Sequence, residues 1–138
     1  MADLTQTAAN VRSGSNGAVE LVQAGEAGIT AGTPVYQKTA DEKYYKADAD
    51  AGSSESDVYG IALMNADADE YFVVQTEGDI NVGATTVTGE VYVLSSTAGK
   101  IAPASDIASG WYPSILGTAK DTSGTIDLDI SNGSTPKA

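Results

Sequence analysis

Two short runs, ADADAG at 47 to 52 and NADADE at 65 to 70, place carboxylates at alternate positions: Asp48 and Asp50, then Asp67, Asp69 and Glu70. Alternating carboxylates can hold a hard cation such as calcium through oxygen ligands. Neither run is an EF-hand loop, because the third acidic position, the central glycine and the closing bidentate glutamate are out of register. Solvated acidic loops are the expected reading, with calcium binding left open. Paired carboxylates also cleave glycosidic bonds, but that work needs one of them in an apolar pocket beside a sugar-stacking ring, and nothing in the sequence fixes one there. The chain has no His and no Cys, which removes disulfides, thiolate nucleophiles, the usual zinc ligands and the commonest proton-transfer group near neutral pH. Ser95, Ser96 and Thr97 have Lys100 nearby but no base arranged beside them, and a turn accounts for them. The glycines at 25, 28, 32, 78, 83 and 89 form no phosphate-binding loop. No catalytic residue, metal site or cofactor is therefore assigned, and the chain is expected not to be an enzyme.

The remaining candidates are aromatic. SGWYPS at 109 to 114 sets the only tryptophan, Trp111, beside Tyr112 and Pro113. Large rings with a polar handle are favoured at interfaces, so Trp111 and Tyr112 are interface candidates; the competing reading is that Trp111 caps the core.

The bulk numbers limit what these residues can be attached to. A chain of 138 residues supports one domain. Val, Ile, Leu and Phe make up just under a fifth of it, which approaches the disordered range. The apolar residues nevertheless sit in short β-patterned runs divided by Gly, Ser, Asn and Asp, so a real but thin core is expected. A thin core gains from oligomerisation or from docking onto something larger. With 19 acidic against 7 basic residues and a net charge of −12, the chain would repel phosphate backbones, and no nucleic-acid partner is expected. No apolar run is long enough to cross a bilayer, and MADLTQTAANVRSG lacks the basic start and apolar stretch of a secretory signal. A soluble protein made in the cytoplasm is expected.

The pattern predicts an N-terminal arm over 1–17, a single all-β domain over 18–131 and a C-terminal tail over 132–138. Strands are predicted near 18–23, 33–38, 43–46, 58–64, 70–76, 79–83, 89–95, 99–102, 111–119 and 125–130, with a helical turn near 105–108. In the last strand TIDLDI alternates strictly, setting Ile126, Leu128 and Ile130 on one face and Asp127 and Asp129 on the other.

The chain also matches itself. Sliding it by 56 or 57 residues places Val35-Tyr36 on Val91-Tyr92, Tyr45 on Ile101, Gly60-Ile61-Ala62 on Gly117-Thr118-Ala119, and Phe72 and Val74 on Leu128 and Ile130. One unit of that size would expose its strand edges and half its core, so two units are expected to wrap into one small barrel or sandwich.

Several motifs in order carry a family resemblance: Gly60-Ile61-Ala62, then Gly89-Glu90-Val91-Tyr92-Val93-Leu94, then Ser96-Thr97-Ala98-Gly99-Lys100-Ile101, then Ile115-Leu116-Gly117-Thr118-Ala119 leading to the alternating last strand. Across about residues 18 to 131 the chain resembles the capsid decoration, or cement, proteins of tailed bacteriophages. The resemblance implies an all-β fold of the β-tulip or β-clip kind, placed on the outer surface of the virion and bridging neighbouring subunits of the major capsid protein, often as a homotrimer. It implies no catalytic residue. On this reading Leu4, Val11 and Arg12 are expected to carry arm contacts to the capsid, by strand addition to an exposed edge. The alternative is a head- or tail-fibre β-module that binds host surface glycans, with Trp111, Tyr112, Tyr44 and Tyr45 as its only candidate rings. An enzyme, by analogy with nucleotide hydrolases of β-clip fold, is the third reading and has no motif behind it.

Overall fold

The computed structural model describes residues 3–138. The strands are β1 (Val11–Ser13), β2 (Ala18–Gln23), β3 (Pro34–Gln37), β4 (Tyr44–Lys46), β5 (Gly60–Ala62), β6 (Tyr71–Val82), β7 (Val91–Leu94), β8 (Ile101–Pro103), β9 (Ser114–Ala119) and β10 (Thr125–Asn132). The helical content is two 3-10 turns, Ala8–Asn10 and Ala104–Asp106. The strands form one curled antiparallel half-barrel sheet, so the expected all-β, barrel-like class is what the structure has.

The long strand β6 organises everything else. Val74 and Gln75 pair with both β2 and β5, and Ile80 and Asn81 with both β1 and β10. Two neighbours at one residue must lie on opposite edges, so β1 and β2 follow one edge of β6 while β5 and β10 follow the other. The sequence pattern divides this region into two strands because Glu77-Gly78-Asp79 has turn composition. Instead the strand bends through Gly78, at φ +90°, where a Cβ would lie 2.3 Å from the Asn16 carbonyl oxygen. At the bend the Gln75 side chain, fully buried, donates through Nε2 to the carbonyls of Glu77 and Asp79.

From β6 outward the strand order is β4-β3-β5-β6-β10-β9-β7-β8, which reads as one four-strand unit and its mirror order. The pairing repeats residue by residue. Val35 opposite Lys46, Tyr36 opposite Tyr45 and Gln37 opposite Tyr44 recur as Tyr92 opposite Pro103, Val93 opposite Ala102 and Leu94 opposite Ile101. Pro34 opposite Ile61 and Val35 opposite Gly60 recur as Val91 opposite Thr118 and Tyr92 opposite Gly117. The ladder offset is 57 throughout these strands. Matching Val35-Tyr36 to Val91-Tyr92 is thus one residue out of register: Val35 corresponds to Tyr92, and Tyr45 to Ala102. A slip of one residue exchanges the faces of a strand. The last strand differs more, since Val74 opposite Ala62 corresponds to Ile126 opposite Ala119, not to Ile130. The connection before β10 is shorter than the one before β6.

Two packed clusters hold the sheet. The larger joins both halves, with Tyr36, Ile61, Ile80, Val82, Tyr92, Leu94, Ile101, Leu116, Ile126 and Leu128. The smaller lies over the first half, with Val22, Ile29, Val35, Tyr44, Phe72 and Val74. Adjacent Val35 and Tyr36 enter different clusters, so β3 is covered on both faces, which is why PVYQ does not alternate. In β10 only one face is covered: Ile126 and Leu128 are buried while Asp127 and Asp129 are exposed, as the alternation predicts.

The segment expected to stand off as an arm is part of this sheet from the first described residue. Asp3 accepts from Ser95 Oγ, the Leu4 N–H donates to the Ile101 carbonyl and the Thr7 N–H to the Gly83 carbonyl. Gln6 Nε2 donates to the carbonyls of Gly32 and Val82, and Val11 pairs with Val82 as the start of β1. The sequence 132–138 likewise continues from β10, with the Gly110 N–H donating to the Lys137 carbonyl and the Lys137 N–H to the Trp111 carbonyl.

Candidate functional site

Of the three residues expected to reach a capsid, two are used inside the domain. Val11 is 9% exposed, and Leu4 packs against the larger cluster. Arg12 does face solvent, in a shallow cleft of about 440 Å³ lined by Thr5, Thr7, Asn10 and Asn81. Trp111 is half-buried against the larger cluster, as the capping alternative supposes, and its other side borders a cleft of about 650 Å³ with Asp3, Ser95, Thr97, Ser105 and Asp106. The Tyr112 N–H donates to the Ala49 carbonyl, tying that segment to the acidic loop. The tyrosines proposed to share a groove with it are elsewhere engaged: Tyr44 packs edge-on against Tyr59 at 5.2 Å, and Tyr45 against Tyr36 at 6.1 Å. Tyr45 also donates from Oη to Asp41 Oδ2, which pushes its pKa up to about 12.

The acidic loops are closed by their own carboxylates. Glu70 Oε1 accepts from the Asp67 N–H, and Asp69 pairs with Lys43 Nζ at 2.6 Å. Asp48 Oδ1 accepts from the Asp50 N–H. Among the described residues no three carboxylates converge where a metal ion could sit. Asp48 is the unusual one: burial, then its hydrogen bond to the Asp50 carboxyl, then the charges of Asp50 and Glu55, push its pKa up to about 6. A carboxyl raised above its unfolded value holds its proton more tightly in the folded state, so it destabilises the fold once ionised. Stability should therefore rise as pH falls from about 7 through about 6 toward the unfolded value near 4. Thermal melting at pH 7.5 and pH 5 is expected to show the higher midpoint at pH 5, and Asp48→Asn to shrink that difference; an unchanged difference in the variant would assign it to other groups.

The surface that sequence reasoning missed lies on β2. Val19 is 55%, Leu21 64% and Tyr71 62% exposed, the three largest such values among the large apolar side chains of the described residues apart from Val87. Leu21 lies opposite Val73 and Gln23 opposite Tyr71 in the β2–β6 ladder, and the Val73 carbonyl accepts from the Leu63 N–H on the far side. Leu21, Val73 and Leu63 thus form one apolar row across three chain segments, with Val19 and Tyr71 flanking it. The sequence signal was AVELVQ, in which Val19, Leu21 and Val22 leave the strand without a purely polar face.

The ladder also fixes where the main chain points. Val73 turns its carbonyl to Leu63, away from β2, so Leu21 opposite Val73 is a non-hydrogen-bonded pair. By alternation Val19 and Gln23 are placed likewise, and Glu20 and Val22 bond to β6. The N–H and C=O groups of Val19 and Leu21 point outward, to a stretch of edge with no further strand among the described residues, while at the end of β2 the edge is met by β4 through the Ala24–Tyr44 bridge and the Gly25 N–H on the Tyr44 carbonyl. Elsewhere the edges are closed. At β4 the Gly25 N–H donates to the Tyr44 carbonyl and Glu26 Oε2 accepts from the Lys46 N–H; at β8 the Leu4 N–H covers Ile101; β1 is three residues long and carries Arg12. The stretch of β2 around Val19 and Leu21, apolar and left open, is the exception.

Compared with protein-family models, curated proteins and solved structures, the chain has no match.

Proposed function

We propose that this chain is a structural virion protein that binds the outer surface of a tailed-bacteriophage capsid and stabilises it by bridging neighbouring major capsid protein subunits, as a homotrimer. The observation that carries the reading is the open apolar edge of β2, with Val19, Leu21 and Tyr71 exposed on an otherwise acidic chain. Exposed apolar area next to unpaired main-chain groups is the signature of a protein-binding surface. The clefts are polar and open. The ordered motifs through Gly60, Gly89, Gly99 and Gly117 support the same family, and each of them lies in the repeated strand-pairing scheme. The mechanism is mechanical: a clamp across subunit boundaries adds binding free energy that must be lost before the shell opens, and many modest contacts suffice because every copy repeats them.

Co-sedimentation of the full chain with undecorated mature capsids tests this. Saturable binding and a shell that resists heat to a higher temperature are expected, with a trimer by mass in solution or on the shell. A chain that stays in the supernatant at all capsid concentrations would sink the reading. The cleft beside Trp111 favours one other outcome, binding to host glycans, and a glycan screen with Trp111→Ala as control would then decide it.

A further inference from the structure

We propose that the partner adds a β-strand to the free edge of β2, and that this strand belongs to a different protein and carries lysine or arginine between its apolar residues. The proposal rests on the reading above and specifies how that contact is made. An added strand would meet the outward N–H and C=O groups of Val19 and Leu21, short of the end that β4 covers, so its affinity would come from the main chain and its register from side chains on alternate positions. On one face its apolar residues would extend the row of Leu21, Val73 and Leu63.

Charge selects the partner. The edge is bounded by Glu77 opposite Ala18 at one end, by Asp69 and Glu70 at the other, and it has Glu20 in its middle, held by a hydrogen bond from Tyr59 Oη. Neither β2, β5 nor β6 contains a lysine or arginine. The cation at this end, Lys43, is already engaged by Asp69. A second copy of a chain with net charge −12 would bring the same carboxylates against these, and like charges opposed across strands are unfavourable. A basic strand neutralises them.

The discriminating substitution is Leu21→Pro. Because the Leu21 N–H serves no bond within the sheet, proline removes one outward donor while leaving the β2–β6 bonds in place, as proline does on edge strands. Leu21→Thr removes apolar surface and keeps the donor. Binding of the full-length chain to undecorated capsids is expected to weaken at least tenfold for Leu21→Pro and less for Leu21→Thr. Hydrogen exchange of the wild-type chain on the shell should slow at least tenfold at the amides of Val19 and Leu21. This second measurement stands alone if the proline variant fails to fold. Wild-type binding with unchanged exchange at those amides overturns the edge proposal and leaves the capsid reading intact. If the wild type does not bind capsids, that reading fails, and the edge is tested with an octapeptide of alternating valine and lysine against its valine and glutamate counterpart. Protection of the two amides by the lysine peptide alone supports the proposal; equal effects, none, or self-association through β2 overturn it.

Discussion

Deleting residues 1–13 is expected to abolish cooperative folding near room temperature, or to lower the melting midpoint by more than about 20 °C. The segment lies over the middle of the domain. Its removal takes away β1 and uncovers Ile80 and Val82, both fully buried, along one edge of the central strand. It also removes Val11 from the core, Leu4 from the larger cluster and from the β8 edge, and both Gln6 bonds, to Gly32 and to Val82. Burying a valine or leucine contributes about 1.5 to 3 kcal/mol and each net hydrogen bond about 1 kcal/mol, so the loss is on the order of 5 kcal/mol. Domains have a total stability of roughly 5 to 15 kcal/mol, so that loss is decisive. Arg12→Ala, by contrast, should lie within about 0.5 kcal/mol of the parent, because the side chain is exposed and holds no ion pair among the described residues. Far-ultraviolet melting curves of the two variants check both. A deletion variant that melts within a few degrees of the full chain would mean the segment is a dispensable arm after all, and would return Leu4 and Val11 to the list of candidate capsid contacts.

The second large effect is expected at the glycines of the repeated Gly-X-Ala strand. A Cβ at Gly117 would stand 2.0 Å from the Asp127 carbonyl oxygen, and one at Gly60 would stand 2.6 Å from the Gln75 carbonyl oxygen. The two obstacles are equivalent in the ladder, since Gln75 opposite Ile61 corresponds to Asp127 opposite Thr118. Both are main-chain atoms of a neighbouring strand, which cannot swing aside as a side-chain end can. Gly117→Ala should cost about 3 kcal/mol, at the upper end for overpacking, and Gly60→Ala about 2 kcal/mol. Gly89→Ala is the comparison: its φ is +83° and nothing lies within 4 Å of a Cβ there, so only the backbone conformation opposes it, at about 1 to 2 kcal/mol. Urea titrations should place Gly117→Ala lowest. If Gly89→Ala is the most damaging of the three, close strand approach is not what requires glycine at 60 and 117.

The repeat shows what was legible and what was not. Gly60-Ile61-Ala62 and Gly117-Thr118-Ala119 match by letter and also by ladder, because the close approach of the next strand forces the same small residue in both copies. Val35-Tyr36 and Val91-Tyr92 match by letter but are one residue apart in the ladder. Both strands are covered on both faces, with adjacent Val35 and Tyr36 buried in β3 and adjacent Tyr92, Val93 and Leu94 in β7, so an aliphatic-aromatic step serves either phase. Similarly, Leu4 and Val11 look like loose apolar residues in a polar stretch, and nothing local tells a flexible arm from an edge strand that pairs 67 or more residues away with Ile80 to Val82 or with Ile101. The site was hidden for a related reason. AVELVQ predicts a strand correctly, but whether Val19 and Leu21 face a core or solvent depends on whether another strand lies beyond them.

The sequence alone determined the all-β class, most of the strand positions from β2 onward, the alternation of β10 and the existence of two related units, since turn glycines, period-two alternation and composition act over a few residues at a time. Tertiary structure alone decided the register between the units, the bend that makes β6 one strand, the docking of the N-terminal segment and the open stretch of the β2 edge at Val19 and Leu21. Those features depend on which main-chain donors and acceptors find partners far along the chain, and a strand carries no local mark of whether its second edge is occupied.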